Sequence, residues 1–295
     1  MLVFLLITKR YNMPIRILIP TDFSKNAFNA IEYAMALFQE KPCEFYFLHT
    51  YFLPGYAREN FFSPKPSDAD FEKRKERAEA GMKRFKTRMK AYEKNDSHTC
   101  HYLNEFGSFY DVMQQKAENN NIDLIIMGTK GQTDSKSVIL GSNSVNVMEK
   151  IRICPTLAIP SDIKYIKPNE IVLPTSFRTD YDEKEINTLL TIADLTGAPI
   201  RVLHVQNRRV MVEARRKNKE LLDNLLKDAN YTHHTLYDID LKTAVQAFVQ
   251  SRESEMIAFV NKKHNFFGSI FSNPLVKELG MHTSIPLLAM HDKKD

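Results

Sequence analysis

The segment Ile171-Val172-Leu173-Pro174-Thr175-Ser176-Phe177 echoes Leu18-Ile19-Pro20-Thr21-Asp22-Phe23, with Ser176 standing where the first copy has Asp22. Two further echoes follow in the same order. Ile200-Arg201-Val202-Leu203-His204-Val205 repeats the Leu-His ending of Phe45-Tyr46-Phe47-Leu48-His49-Thr50, and Ile285-Pro286-Leu287-Leu288-Ala289-Met290 repeats Cys154-Pro155-Thr156-Leu157-Ala158-Ile159. Ordered matches of this kind imply a tandem duplication, and 295 residues leave room for two ordinary domains. Residues 161–169, with Pro160 and Pro168 at their margins, read as a linker between a first domain over 13–160 and a second over 170–295. Residues 1–12, ahead of Met13-Pro14-Ile15-Arg16, read as an N-terminal extension.

Within each half, short apolar runs alternate with helical patterns, which argues for parallel β-α-β units. In the first half the expected helices cover 27–39, 72–94 and 109–119, and a third strand covers 101–105. The buried-strand run Asp123-Leu124-Ile125-Ile126-Met127 comes next, followed by a glycine-bearing loop, a helix over 145–150 and a last strand. The expected fold class is therefore α/β, with two tandem doubly wound five-stranded parallel sheets. Ligands of such sheets sit at the carboxyl ends of the strands, where the strand order reverses.

The loop between the fourth strand and the last helix carries the chemistry. It reads Met127-Gly128-Thr129-Lys130-Gly131, then nine residues, then Gly141-Ser142-Asn143-Ser144. Gly128 and Gly131 lack the Cβ that would hold backbone amides away from an anion. Gly141 to Ser144 put N–H groups and short polar side chains at a helix start, where the dipole favours negative charge. The spacing is neither a Walker loop nor the dinucleotide Gly-x-Gly-x-x-Gly. A nucleotide site is the chemical expectation, against the plainer alternative of a glycine turn capped by Ser142.

Gly-x2-Gly-x9-Gly-Ser resembles the ATP-binding signature of the universal stress protein family. Ile17 to Ser24, ending Pro20-Thr21-Asp22-Phe23-Ser24, is similar to the family's first strand, Phe45 to Thr50 to its second, and Cys154 to Pro160 to its closing strand. The resemblance implies a Rossmann-like sheet of order 3-2-1-4-5, with the crevice between the strands ending near Asp22 and Met127. It places Asp22 against adenine and ribose, although Asp22 also suits a helix N-cap, a role open to Ser24 as well. Pro20 and Thr21 would touch base or ribose through backbone, and the backbone of Thr50 would meet the adenine edge. Met127, Gly128, Gly131, Gly141, Ser142, Asn143 and Ser144 would surround the phosphates. Lys130 and Lys136 lie in or beside the loop, although surface lysines are more often solvated. The implied protein is cytoplasmic and binds ATP in stress response or signalling, with slow hydrolysis at most and any Mg²⁺ held through the phosphates. Its two repeats would pair through their last strands as an internal pseudo-dimer, with room for a homodimer and for protein partners of unknown identity. Two rivals stand beside it: an adenine-nucleotide hydrolase or transferase of the same superfamily, and a ligand-free interaction scaffold.

The second repeat has lost the cradle. Aligning Glu255 to Phe259 with Asp123 to Met127 sets Val260 opposite Gly128 and Lys263 opposite Gly131, while Ser272-Asn273-Pro274 faces Gly141-Ser142-Asn143. A β-branched residue and a proline remove the close approach and an amide donor. Composition adds exclusions. With 43% apolar and 26% charged residues the chain reads as globular and soluble, and no run approaches the ~20 apolar residues of a membrane span. Leu2 to Ile7 is too short for a signal peptide or an anchor. A net charge of +5 indicates no particular partner, and the basic helix over 72–94 is interspersed with glutamates, so nucleic acid is not expected. Three widely spaced cysteines, Cys43, Cys100 and Cys154, form neither a disulfide framework nor a metal knuckle. His98, Cys100 and His101 alternate across a strand, and His233-His234 is a similar case, so no metal site is expected. No residue set reads as catalytic; Asp134, within the spacer, is the nearest acidic candidate.

Overall fold

The computed structural model describes residues 13–52, 69–130, 141–178, 181–206, 213–261 and 285–292. The first half runs β1 (Ile15–Pro20), α1 (Lys25–Leu37), β2 (Cys43–Tyr51), α2 (Ala69–Met89), β3 (His98–Phe106), α3 (Phe109–Asn119), β4 (Leu124–Gly128), α4 (Ser142–Lys150) and β5 (Thr156–Ile159). The second runs β6 (Ile171–Thr175), α5 (Glu183–Thr196), β7 (Ile200–Gln206), α6 (Glu213–Leu226), β8 (Tyr231–Tyr237), α7 (Leu241–Arg252), β9 (Met256–Asn261) and β10 (Leu287–His291). The expected helix over 72–94 thus begins and ends earlier, and the strand over 101–105 grows at both ends. Helix α1 starts at Lys25 because Ser24 caps it, accepting the Ala27 N–H at 3.1 Å.

Both faces of the sheet are covered. Ile17 and Ile19 point into a cluster with Phe28 and Ile31 of α1 and Met82 and Phe85 of α2. Leu18 points the other way, with Ile125 and Met127, toward Val112 and Met113 of α3 and Val147 of α4. A strand buried on both sides needs a continuous apolar run, and β1 supplies one. The order within each half is 3-2-1-4-5, as the family resemblance implied. The duplication holds at the level of register: Leu18 pairs with Ile125 as Val172 pairs with Ile257.

The two five-stranded halves join through their last strands into one continuous sheet of ten strands, ordered β3-β2-β1-β4-β5-β10-β9-β6-β7-β8. The last strands join antiparallel, with Leu287 opposite Ala158, Leu288 opposite Leu157 and Ala289 opposite Thr156. Every residue of β5 and β10 is buried, so leaving either as an edge would strand backbone donors and acceptors away from water. Among the described residues, no helix is long and apolar enough to cross a membrane.

At the amino-terminal end of the second half, Glu170 is nearly buried. It accepts from Arg252 at 2.7 and 2.6 Å, from Arg201 at 2.6 Å and from Ser254 Oγ at 2.8 Å. Burial alone would raise its carboxyl pKa, but the donors of Arg252, Arg201 and Ser254 outweigh it and bring the value down to about 2. Because the folded value lies below the unfolded one, this stabilisation is complete above about pH 4.5 and is lost as pH falls toward 2. Glu170→Gln should lower unfolding free energy by about 3 kcal/mol at pH 7, leaving two guanidinium groups without their carboxylate. Urea denaturation of wild type and variant should converge below pH 3 (roughly), where the wild-type carboxylate is being protonated.

Candidate functional site

Strand β1 lies between β2 and β4, so the chain's direction of travel through the sheet reverses there and a crevice opens at the strand ends. On one side of the crevice is the turn after β1. Thr21 is buried and fully engaged: its N–H donates to Leu48 O at 2.8 Å, its carbonyl accepts from His49 Nδ1 at 2.8 Å, and its hydroxyl accepts the Phe23 N–H at 3.0 Å. Within the protein Thr21 thus shapes the wall of the crevice. Pro20 closes β1 opposite Leu48 and has no N–H to offer. Asp22 stands at the exposed lip, where Oδ1 accepts the Ser24 N–H at 3.0 Å. The helix cap is Ser24, which leaves Asp22 as the carboxylate of the crevice mouth. Thr50 sits on the part of β2 that overhangs the last β1 pair, Pro20–Leu48.

Two residues that the sequence reasoning gave no role hold this turn. Phe23 adopts a left-handed φ of 63°, uncommon for a bulky side chain, and its ring lies 4.2 Å from that of His49. Gly81 of α2 makes room for it: a Cβ there would meet Phe23 Cε2 at 2.5 Å. The second half repeats the device. Phe177 has φ 51°, its N–H donates to Thr175 Oγ1 at 3.0 Å, and His204 Nδ1 donates to Thr175 O at 2.9 Å. The recurrence of Thr-x-Phe and Leu-His in both halves was the signal that could have found it.

On the other side of the crevice is the β4–α4 connection. Met127 is buried in β4. Thr129 donates to Ile159 O at 2.9 Å and accepts the Gly141 N–H at 2.6 Å, which draws the start of α4 against the strand end. Ser144 reinforces this: its hydroxyl lies 2.9 Å from Gly128 O and 3.1 Å from Thr129 O and is buried. Its hydroxyl proton is thus engaged inside the protein, which leaves the backbone N–H as the group Ser144 presents at the helix start. Gly128 has a packing reason to be glycine, because a Cβ would lie 3.2 Å from the Asn26 carbonyl at the start of α1. Gly141 is the helix N-cap, at φ −67° and ψ 153°, with no side chain to cap α4. The first-turn N–H groups of Ser142, Asn143 and Ser144 have no acceptor within the helix, and the Ser142 and Asn143 side chains are exposed. An uncapped helix start beside a strand end is chemically suited to an anion. Gly131, Asp134 and Lys136 lie outside the described residues.

The equivalent crevice of the second half is differently furnished. Val260 replaces Gly128 and is buried. The Thr175 hydroxyl lies 2.6 Å from the Tyr181 hydroxyl, and the Asn261 side chain reaches Met148 O at 3.0 Å. Lys262, Lys263 and 272–274 lie outside the described residues. Elsewhere, His98 Nε2 lies 3.1 Å from Phe38 O and His101 stacks on Tyr46 at 4.5 Å, so both are tied into the fold. Among the described residues, no group of three or more His, Cys, Asp or Glu side chains is arranged to hold a metal.

Comparison with known proteins gives this geometry a context. The sequence model of the universal stress protein family matches residues 13–160. Universal stress protein MJ0577 of Methanocaldococcus jannaschii is 29% identical over 143 residues, covering 46% of this chain and 88% of that protein. A universal stress protein from Archaeoglobus fulgidus superposes over 94% of this chain and 98% of its own, with TM-score 0.65 and 15% identity. Protein PA1789 of Pseudomonas aeruginosa PAO1, described as functionally unknown, covers 96% of this chain and 95% of its own, with TM-score 0.60 and 10% identity. At such identities the two structures speak for the fold alone.

His49 supplies a direct check on the crevice. Burial lowers its pKa from 6.5, and the opposing pulls of the Thr21 carbonyl and of Asp22 do not restore it. Hydrogen on Nδ1 holds the Thr21 carbonyl in either charge state, and burial is what disfavours the charged ring. The stability tied to the neutral form is therefore present above about pH 6.5 and is lost as pH falls through the lowered value. An NMR titration should find the His49 midpoint below that of a free histidine, and Asp22→Asn should lower it further.

Proposed function

The chain belongs to the universal stress protein family, and from that premise we propose that its first half binds one ATP per chain. The supporting observation is the start of α4: a glycine N-cap drawn against the end of β4 at the sheet's switch point, with first-turn N–H groups available to an anion. In this reading the backbone of Gly128, Gly141, Ser142 and Asn143, with Gly131, cradles the phosphates. Asp22 accepts from ribose or adenine, and the Thr50 backbone meets the adenine edge. Mg²⁺ is carried by the phosphates and water, as this ion often is. The role is that of a ligand-responsive stress or signalling protein in the cytoplasm, binding ATP with slow turnover at most. The second half, its cradle replaced by Val260 and its polar atoms engaged within the protein, serves pairing and regulation.

Calorimetry on the full chain, freed of co-purified ligand, should report one ATP site; two equivalent sites, or none, would overturn the proposal. Gly141→Val should abolish binding while far-UV circular dichroism stays unchanged, since φ −67° and ψ 153° suit valine and the new side chain occupies phosphate space. Asp22→Ala should weaken ATP by about 1–2 kcal/mol, the worth of one or two net hydrogen bonds.

A further inference from the structure

Helix α4 is gripped at the end opposite its candidate phosphate cradle, and the grip comes from the second half. Met148 lies in the last turn of α4, so its carbonyl is among those a helix leaves without an internal partner. Two donors reach it across the seam: Asn261 Nδ2 at 3.0 Å and His291 Nε2 at 3.2 Å. Arg152, just past the helix, donates to Asn261 O at 3.2 Å and pairs with Asp292. The donors are themselves fixed. The His291 N–H donates to Glu185 Oε2 at 3.0 Å, and His291 Nδ1 lies 3.5 Å from the same oxygen. Asn261 is 3%, His291 2% and Glu185 5% exposed, so this is a built contact inside the protein. The Met148 side chain is buried in a cluster otherwise dominated by second-half residues, among them Val172, Ile257 and Leu287.

Asn261 ends β9 at the place where Thr129 follows β4 in the first half. The degenerate repeat has thus turned the first residue of its former loop onto the helix of its neighbour. Over nine residues α4 spans roughly 13 Å, and it is bound at one end by Ser144 and at the other by this clamp. Its axial position sets where the first-turn N–H groups stand.

We propose that Asn261, His291 and Arg152 are positioning residues for the phosphates bound at the other end of α4, so that the second half completes the first half's site. The inference rests on the ATP reading above. Adenine and ribose contacts lie on β1 and β2, away from α4, and are independent of the clamp. Its loss should therefore separate ATP from adenosine.

The test uses the full chain and compares ATP with adenosine by calorimetry. Asn261→Leu should weaken ATP roughly tenfold, the equivalent of one hydrogen bond lost from the cradle's support, with adenosine affinity unchanged. His291→Leu should do the same, and His291→Gln, which keeps a donor, should recover most of the loss. Arg152→Gln, at a partly exposed site, offers a second route if the buried variants do not fold. Hydrogen exchange at the hydrogen-bonded Val145–Met148 amides of α4 should speed up in the Asn261 and Arg152 variants with no ligand present. An unchanged ATP-to-adenosine ratio, a parallel loss of both ligands, or unchanged exchange at these amides would overturn the clamp. Failure of wild type to bind ATP would instead overturn the nucleotide reading, with the exchange measurement still deciding the clamp.

Discussion

Antiparallel pairing of β5 with β10 is the constraint on which the rest of the molecule depends. A five-stranded sheet has two edges, and the two edges of each half are unlike. β3 and β8 keep half-exposed or exposed residues along their length, including His101, Glu105, Thr232 and His233. β5 and β10 are buried throughout. Exposed edges can face water, whereas a buried edge cannot leave its N–H and C=O groups unpaired. Joining the buried edges removes both liabilities at once. It also merges the cores: one cluster runs from Ile17 and Phe85 in the first half to Ile186 and Leu226 in the second.

The duplication separates what the fold needs from what a ligand needs. Both halves keep the Thr-x-Phe turn, the left-handed phenylalanine and the histidine donating to the threonine carbonyl. A device retained where the cradle is gone belongs to the architecture: it turns the chain from the first strand into the first helix. What only the first half keeps is Asp22, Gly128 and the glycine-capped start of α4. Even within that set Gly128 answers partly to packing, since the Asn26 carbonyl occupies the space beside it. The ligand case therefore rests most heavily on Asp22, Gly141 and the first turn of α4. The histidines differ too. His204 is buried, with both ring nitrogens engaged, by Thr175 O and by the Gln206 side chain at 3.0 Å. Tyr51 stands at the position corresponding to Gln206, and His49 remains half-exposed at the crevice.

Much of this was legible in the sequence because it was written locally. The strand–glycine loop–helix order, the echo of Leu18 to Phe23 and the apolar runs of β1 and β4 all depend on residues near one another in the chain. What escaped depends on distant partners. Nothing near Ser144 in the chain announces that its hydroxyl lies beside the carbonyls of Gly128 and Thr129. The partners of the Thr21 backbone, Leu48 and His49, are set only once β2 is placed beside β1. Pairing through the last strands was implied by the family resemblance, but its antiparallel register, Leu288 opposite Leu157, joins residues too far apart in the chain to be read locally. Helix limits shifted for a similar reason: α2 is set by Phe71, Ala78, Met82, Phe85 and Met89 reaching the core, and a stretch so rich in charge hides that stripe.

The seam also bears on how the second crevice changed. A cradle keeps its backbone amides and nearby polar side chains available to a ligand; among the described residues of the second half, several polar groups near the crevice have partners within the protein. Tyr181 meets Thr175, Arg152 meets the Asn261 carbonyl, and the Asn261 amide meets Met148. Each contact satisfies a polar group that burial at the seam would otherwise penalise. The exchange of Gly128 for Val260 and the tightening of the junction meet in one place, because Asn261, next to Val260, reaches the end of α4. The outcome is an asymmetric pair: one crevice with a helix start available to an anion, and one whose polar atoms hold that same helix from behind.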